Sequence, residues 1–171
     1  MSPNHRATVF RMPTSATLAS GGLAGAAGAL AVAGLARLRD RALGRPPPYA
    51  APALVRALAA NVAWTPSARA TRVGGELLRL AYGTTLGVLF SALGGRHAAW
   101  GGRGAGWVLG ATVLLGEHVA FPRLGLTPPA SHWTRGERSL LAVQTLLFGQ
   151  TVAWVYRRAA RARHATDVFM A

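Results

Sequence analysis

The side chains of this chain that could carry chemistry are those of Glu117, its neighbour His118, and Gln144. Glu117 and His118 lie in a long apolar stretch of sequence LLGEHVAFPRLGL, and Gln144 lies in the next apolar stretch. A carboxylate within a membrane span is costly unless it is paired, protonated or hydrated, so such a residue is a functional candidate. With a histidine beside it, Glu117 could take part in a proton-linked step or in acid–base chemistry.

A structural role explains Glu117 more simply. It could pair with Arg79 or Arg123 and join two helices, since intramembrane polar pairs often hold bundles together. Adjacent helix positions point about 100° apart, so Glu117 and His118 need not share a partner. Gln144 is the predicted cross-helix partner of Glu117, because the stretches that carry them are consecutive and therefore antiparallel neighbours.

The known catalytic and cofactor motifs are missing. The sequence has no cysteine, which excludes disulfides and thiolate chemistry. It has no HExxH motif, no GxSxG elbow and no phosphate-binding glycine loop. Its five histidines are scattered, so no metal site is predicted. We predict no catalytic residue, metal or cofactor, and the sequence favours a protein without enzymatic activity over an enzyme.

The charge of the chain is strongly positive and unevenly distributed. The net charge is +14 and all 19 basic residues are arginines, which fall between and beyond the apolar blocks except for Arg79 near the start of the second. Arginine-rich ends around apolar segments favour the anionic headgroups of membrane lipids as partners. Because the basic residues form no continuous stripe, we predict no nucleic-acid binding.

Four apolar blocks are each long enough to cross a bilayer as a helix. They cover about residues 15–36, 77–95, 104–121 and 140–156. The linker over residues 37–76 contains a shorter apolar segment, about 53–64, which is predicted to be an interfacial helix. The sequence thus predicts an all-α, polytopic membrane protein over residues 1–171: a single bundle of four transmembrane helices with a short interfacial helix between the first two. The first block could instead be a cleaved signal peptide, but its apolar run is longer than is usual for one.

Small residues spaced four apart recur in every block. Such spacing lets helix backbones approach closely in a membrane, where association depends on packing. Its presence in all four blocks predicts a tight bundle, with a homo-oligomer face on the first block as the alternative. The candidate packing glycines are Gly21, Gly25, Gly83, Gly87, Gly106, Gly110 and Gly149.

The exit of the third block carries a motif, FPRLGLTPP, over residues 121–129. Proline and glycine there predict a helix end followed by a stiff loop. The motif resembles the end of the third span in the YagU-like family of bacterial inner-membrane proteins, and the early Gly/Ala-rich span and the basic closing residues are similar too. Where members of that family often have a histidine in the last span, this chain has Gln144. The residues of the motif singled out are Phe121, Pro122, Gly125, Leu126, Thr127, Pro128 and Pro129.

The orientation of the chain follows from its loop charges only in part. Four spans put both termini on one side, and the arginines after the last block indicate that this side is the cytoplasm. Arg37, Arg39 and Arg41, after the first block, indicate the opposite. The resemblance implies cytoplasmic termini and the bacterial inner membrane, and we follow it.

The resemblance implies no biochemical activity. The leading hypothesis is an integral inner-membrane protein with a structural or accessory role. The alternatives are a small proton-linked transporter or channel that uses Glu117, and a membrane-embedded enzyme that acts on lipid through Glu117 and His118.

Overall fold

A computed structural model describes residues 14–44, 50–94 and 104–169 of the chain, and within these ranges it has helices and no strands. The predicted all-α class is confirmed. Two stretches, Ser15–Ala42 and Arg135–Arg163, are long and apolar enough to cross a membrane. The helices are α1 (Ser15–Leu43), α2 (Ala51–Ala60), α3 (Ala68–Gly94), α4 (Ala105–Arg123) and α5 (Arg135–Phe169), and a 3-10 turn lies at Ala130–His132.

The four long helices pack side by side in the order α3, α1, α5, α4, and α2 lies against α3. The start of α1 lies beside the end of α5, where the Arg163 guanidinium donates to the carbonyl oxygen of Ala16 at 2.8 Å. Arg39, near the end of α1, contacts Gln144, near the start of α5. These two contacts show that α1 and α5 are antiparallel and that the first and last described helical turns share one end of the bundle.

Helix α1 runs through the charges that were predicted to end it at residue 36. It begins after Thr14, whose side chain accepts a hydrogen bond from the Thr17 amide, and it continues to Leu43. Its first interruption is Gly44, which adopts φ +66°, a conformation that glycine tolerates at a helix end. Charge alone does not stop a helix, because the arginine side chains can reach partners or solvent.

Helices α3 and α5 also extend beyond the apolar blocks. Helix α3 begins at Ala68 rather than near 77, after Ser67, whose hydroxyl accepts from the Ala70 amide at 3.2 Å. Helix α5 runs from Arg135 rather than 140, and to Phe169 rather than 156. Its start is a capping box in which the Glu137 carboxylate accepts from the Thr134 amide at 2.8 Å. Polar turns at each end lengthen these helices without being apolar themselves.

The predicted interfacial helix is α2, which runs over Ala51–Ala60 instead of 53–64 and has a proline in its first turn. It rests on two glycines of α3. A Cβ atom on Gly75 would lie 3.1 Å from the Pro52 nitrogen, and one on Gly74 would lie 3.4 Å from the Val55 side chain. Because glycine has no side chain, α2 can lie close to α3 at these two positions.

The seven candidate packing glycines of the long helices lie at helix contacts. Gly21 and Gly25 of α1 face Gly83 and Gly87 of α3, and a Cβ on Gly25 would lie 3.0 Å from the Gly87 Cα and overlap the Gly83 carbonyl. The same kind of contact joins α4 to α5. A Cβ on Gly149 would lie 3.0 Å from the Gly110 Cα, and one on Gly106 would lie 2.9 Å from Gln150 Cα. Each contact is a crossing at which two backbones touch.

The FPRLGLTPP motif ends α4 with a defined hydrogen-bond pattern. The Leu126 amide donates to the Phe121 carbonyl at 3.0 Å and the Gly125 amide to the Pro122 carbonyl at 3.1 Å. Gly125 has φ +69°, a left-handed conformation that glycine tolerates at a helix end. This is the Schellman arrangement of a helix C-terminus. Helix α4 therefore ends at Arg123, one residue after Pro122, where its end was predicted.

Trp133 follows the 3-10 turn after α4. Its side chain is buried within the protein at 2% exposure and packs with Leu141 and Leu114. Its indole nitrogen donates to the Pro128 carbonyl at 3.1 Å. The loop after α4 therefore folds back on itself around this indole, because a buried Trp N–H requires an acceptor.

Candidate functional site

A cavity of about 210 Å³ lies among the four long helices, at the end of the bundle next to α2. Its wall is mainly aliphatic and aromatic, with residues from all five helices and from Leu126 of the FPRLGLTPP loop. The polar side chains on the wall are few. They are those of Arg39, Arg79, Tyr82, Glu117, Gln144 and Thr145.

The position of the cavity follows from the glycine contacts. The α1–α3 contact at Gly21, Gly25 and Gly87 and the α4–α5 contact at Gly106 lie towards the opposite end of the bundle. Beyond these crossings, residues with full side chains separate the helices, as Val113 does on the cavity wall. Leu54 and Leu58 of α2 lie over the cavity at its end.

Glu117 of α4 lies on the cavity wall, where its carboxylate is next to the Tyr82 hydroxyl of α3. From the sequence, Glu117 was considered as a partner of Arg79 or Arg123. Within the described ranges it forms an ion pair with neither of them. Arg79 instead pairs with Glu76, one turn before it on α3, at 2.7 Å. Glu117 thus lies on the cavity wall, and the polar group identified next to its carboxylate is the Tyr82 hydroxyl.

Gln144 of α5 lies on the wall of the same cavity, but the direct pairing predicted with Glu117 is not formed. Its Oε1 accepts from the Arg39 guanidinium at 3.0 Å. Its Nε2 is buried and has no hydrogen-bond partner among the residues that the structure describes. The reason is geometric: α5 turns this residue towards α1, and the side chain is 95% buried between them.

Arg39 connects this amide to a carboxylate on its own helix. Its guanidinium donates to the Asp40 carboxylate at 2.9 and 2.7 Å through Nε and Nη2. Arg39 is only 5% exposed, whereas the side chain of Asp40 remains 42% exposed. A buried arginine that is paired and hydrogen-bonded in this way fixes the positions of its neighbours.

His118 is directed away from the cavity. Its ring lies 5.2 Å from that of Trp133, and its Nδ1 is 3.3 Å from the Leu114 carbonyl oxygen. The structure therefore does not bring Glu117 and His118 to one site. The 100° between successive helix positions places His118 on a different face of α4 from Glu117.

On one side, the cavity lies next to the gap between α3 and α4. These two helices have almost no close backbone approach over the described residues. The gap is bridged by side chains, with the Tyr82 and Phe121 ring centroids 6.3 Å apart. Phe121 is thus the residue of the FPRLGLTPP motif that connects it to the cavity, together with Leu126.

The other motif residues have structural positions. Pro128 supplies the carbonyl that holds Trp133, and Pro129 accepts from the His132 amide at 2.9 Å. Thr127 is 6% exposed and its hydroxyl has no hydrogen-bond partner among the described residues.

Sequence reasoning missed Tyr82 and Arg39 as residues of the site. Tyr82 looked like an ordinary aromatic residue in an apolar block, and Arg39 looked like part of a charged linker. A signal for Arg39 was available in the sequence: no helix breaker separates it from the first block before Gly44. Tyr82 offered no comparable signal, because its role depends on how α3 and α4 face each other.

Comparison with known proteins identifies no relative: no family model matches the chain, and neither a curated protein nor a solved structure does.

Proposed function

We propose that this chain is a multi-pass protein of the bacterial inner membrane, with α1, α3, α4 and α5 all crossing the bilayer and both termini in the cytoplasm. Support begins with α1 and α5, the two helices that are long and apolar enough to span. Within residues 77–94 of α3 the only charged side chain is Arg79, and within residues 105–121 of α4 it is Glu117. Low charge over such lengths suits a hydrocarbon layer.

The packing of α3 and α4 supports the same topology. Both are held against a candidate span by backbone contacts at glycines, α3 against α1 and α4 against α5. A helix pressed this closely along a spanning helix shares its layer of the membrane. The resemblance of the FPRLGLTPP motif to an inner-membrane family supports the compartment and the orientation.

The outer surface of the bundle also favours lipid as its surroundings. Soluble monomers seldom expose large contiguous apolar patches. Here large apolar side chains that are at least half exposed occur on all four long helices. They include Leu23, Leu30, Leu77, Leu89, Trp107, Leu115, Val143 and Trp154.

The lipid headgroups at the two ends of the bundle are the proposed partners of the exposed arginines. Arg158 and Arg161 project near one end and Arg37 and Arg41 near the other. Arginines near the ends of membrane-spanning helices attract anionic headgroups. A homo-oligomer through the first block receives no support, since Gly21 and Gly25 are occupied by α3 within the chain.

The activity that we propose is accessory and non-enzymatic: the bundle holds part of an amphipathic, lipid-like molecule in its cavity. The observation that carries this is the cavity itself, which has a largely apolar wall and a few polar groups at fixed positions. Sites for small organic ligands have this character. The lipid-acting enzyme is disfavoured because His118 is directed away from Glu117.

A cavity-filling variant tests the binding function. Val113→Phe places a larger side chain on the cavity wall, whereas Val143→Phe places it on the lipid-facing surface of α5, where Val143 is 51% exposed. Native mass spectrometry of protein purified in mild detergent is expected to show a retained lipid for the wild type and for Val143→Phe, and loss of that lipid for Val113→Phe. Circular dichroism confirms that each variant is folded. Equal lipid retention in all three proteins contradicts the proposal.

A second candidate is proton-linked transport, which is favoured by the position of Glu117 on the cavity wall without an identified ion pair. It ranks second because proton transfer needs a polar path across the membrane, and the neighbouring wall is formed by Leu86, Val113 and Phe148. Acidification of liposomes that depends on Glu117, followed with an enclosed pH-sensitive dye, would place it first.

A further inference from the structure

Two polar groups on the cavity wall have bonding capacity that the described protein does not use. The Glu117 carboxylate is contacted by the Tyr82 hydroxyl, and no ion pair is found for it among the described side chains. The Gln144 amide nitrogen is a buried donor with no acceptor. One group therefore calls for a cation or a donor, and the other calls for an acceptor.

The two arginines on the wall do not supply what Glu117 lacks. Arg39 is bonded to Asp40 and Gln144, and Arg79 is bonded to Glu76. Each guanidinium is thus balanced by a carboxylate of its own helix. Glu117 is the acid on the wall without such a balance, so a ligand with a positive group is favoured at this point by charge complementarity.

The aromatic rings at the gap suit the same kind of ligand. Tyr82 and Phe121 contact each other between α3 and α4, with ring centroids 6.3 Å apart, and Glu117 lies next to Tyr82 on the cavity wall. An ammonium group is stabilised by a carboxylate and by the faces of nearby aromatic rings. The rest of the wall is apolar and suits aliphatic chains.

We propose that the cavity binds the headgroup of an aminophospholipid from the surrounding membrane. Its primary ammonium donates to the Glu117 carboxylate, an oxygen of its phosphate or glycerol ester accepts from the Gln144 Nε2, and its acyl chains leave between α3 and α4 beside the contact of Tyr82 with Phe121. A cavity of about 210 Å³ holds a headgroup and not a whole lipid with two chains, which is why the gap matters. This assignment rests on the proposed lipid-holding function and specifies its ligand.

Three lysophospholipids with the same acyl chain test the assignment, because they differ only in the headgroup. They are lysophosphatidylethanolamine, lysophosphatidylcholine and lysophosphatidylglycerol, titrated into the purified full-length protein and followed by its thermal stability. A trimethylated ammonium cannot donate to a carboxylate, so the ethanolamine lipid is expected to bind at least about tenfold more tightly than the choline lipid, as a charge-assisted hydrogen bond warrants. The glycerol lipid has no cation and is expected to bind most weakly.

Variants assign the preference to the two groups. Glu117→Gln is expected to bring the ethanolamine and choline lipids to similar affinities. Gln144→Leu is expected to weaken both by about tenfold, since each loses one acceptor contact. Gln150→Leu is the matched control on the same helix, facing Gly106 of α4 away from the cavity, and it is expected to leave the preference unchanged.

The assignment is overturned if the choline lipid binds as tightly as the ethanolamine lipid to the wild type, if the glycerol lipid binds most tightly, or if Glu117→Gln retains the preference. In those cases the lipid-holding function stands and only the headgroup is wrong. If none of the three lipids binds and Val113→Phe also loses no retained lipid, both proposals fail. Free O-phosphoethanolamine, added as a competitor, separates the sources: its failure to displace the lysolipid supports a membrane lipid, and full displacement contradicts it. If Glu117→Gln does not fold, the comparison of the three lipids on the wild type decides alone.

Discussion

At the scale of single residues, the polar groups of the cavity show what a sequence can and cannot reveal. Glu117 was identifiable because a carboxylate in an apolar block is rare and costly. Gln144 was identifiable as a polar residue in the next block, although its partner proved to be Arg39. Side-chain partners depend on how helices face one another, and periodicity along one helix does not contain that information.

Arg39 provides a test at this scale. Arg39→Gln removes the donors to Asp40 and Gln144, leaving a second unsatisfied group on a side chain that is already buried. The expected loss in the free energy of unfolding is about 1–3 kcal/mol, as for other buried hydrogen-bonded groups. Unfolding by SDS in mixed micelles, followed by circular dichroism, measures it.

The matched control for that variant is Arg37→Gln, two residues earlier on α1, where the arginine is exposed. Surface substitutions usually change stability by no more than about 0.5 kcal/mol. Equal stability of the two variants would mean that Arg39 does not hold α1 to α5.

At the scale of helices, the four blocks located the long helices but not their ends. The blocks marked where hydrophobic residues run, whereas the ends are set by local signals such as Ser67, Gly44 and the Thr134–Glu137 capping box. That capping box has a recognisable T-x-x-E spacing and could have been predicted. The glycine spacing indicated where helices touch, but which helix meets which could not be derived, because every block carries similar glycines.

The contact between α1 and α3 gives a prediction at the scale of helices. Gly25→Ala adds a Cβ that would overlap the Gly83 carbonyl and lie 3.0 Å from the Gly87 Cα. Both neighbours are backbone atoms and cannot move aside cheaply, so the variant is expected to lose about 1–3 kcal/mol of stability by overpacking. Unfolding in mixed micelles measures the loss.

Gly34→Ala is the control on the same helix, since nothing lies within 4 Å of a Cβ at that position. Alanine favours a helix over glycine, so this variant is expected to be neutral or more stable by up to about 1 kcal/mol. If Gly25→Ala is as stable as Gly34→Ala, the close backbone crossing of α1 and α3 does not exist.

At the scale of the whole molecule, the bundle combines two close glycine crossings with a wider end that encloses the cavity. α2 covers that end, and the FPRLGLTPP loop contributes Phe121 and Leu126 to its wall. The sequence predicted the all-helical class, which the structure has, and the lengths of its apolar blocks predicted a membrane environment. It could not indicate a cavity, because a cavity results from the angles between helices and from the side chains that separate them beyond their crossings.

The central claim is that α3 and α4 cross the membrane together with α1 and α5, and the absence of cysteine from the chain makes it directly testable. Single cysteines at exposed positions are labelled in intact cells with a membrane-impermeant maleimide. Ala42→Cys, Thr65→Cys and Ser131→Cys lie at the α2 end of the bundle, and Gly104→Cys and Arg161→Cys lie at the other end.

Gly104 is the decisive position, because it follows α3 and precedes α4. The account predicts that Ala42→Cys, Thr65→Cys and Ser131→Cys react in intact cells, whereas Gly104→Cys and Arg161→Cys react only after the membrane is permeabilised. The reverse pattern would keep four spans and invert the orientation. Labelling of Gly104→Cys from the same side as Thr65→Cys and Ser131→Cys would mean that α3 and α4 do not cross, and it would contradict the account.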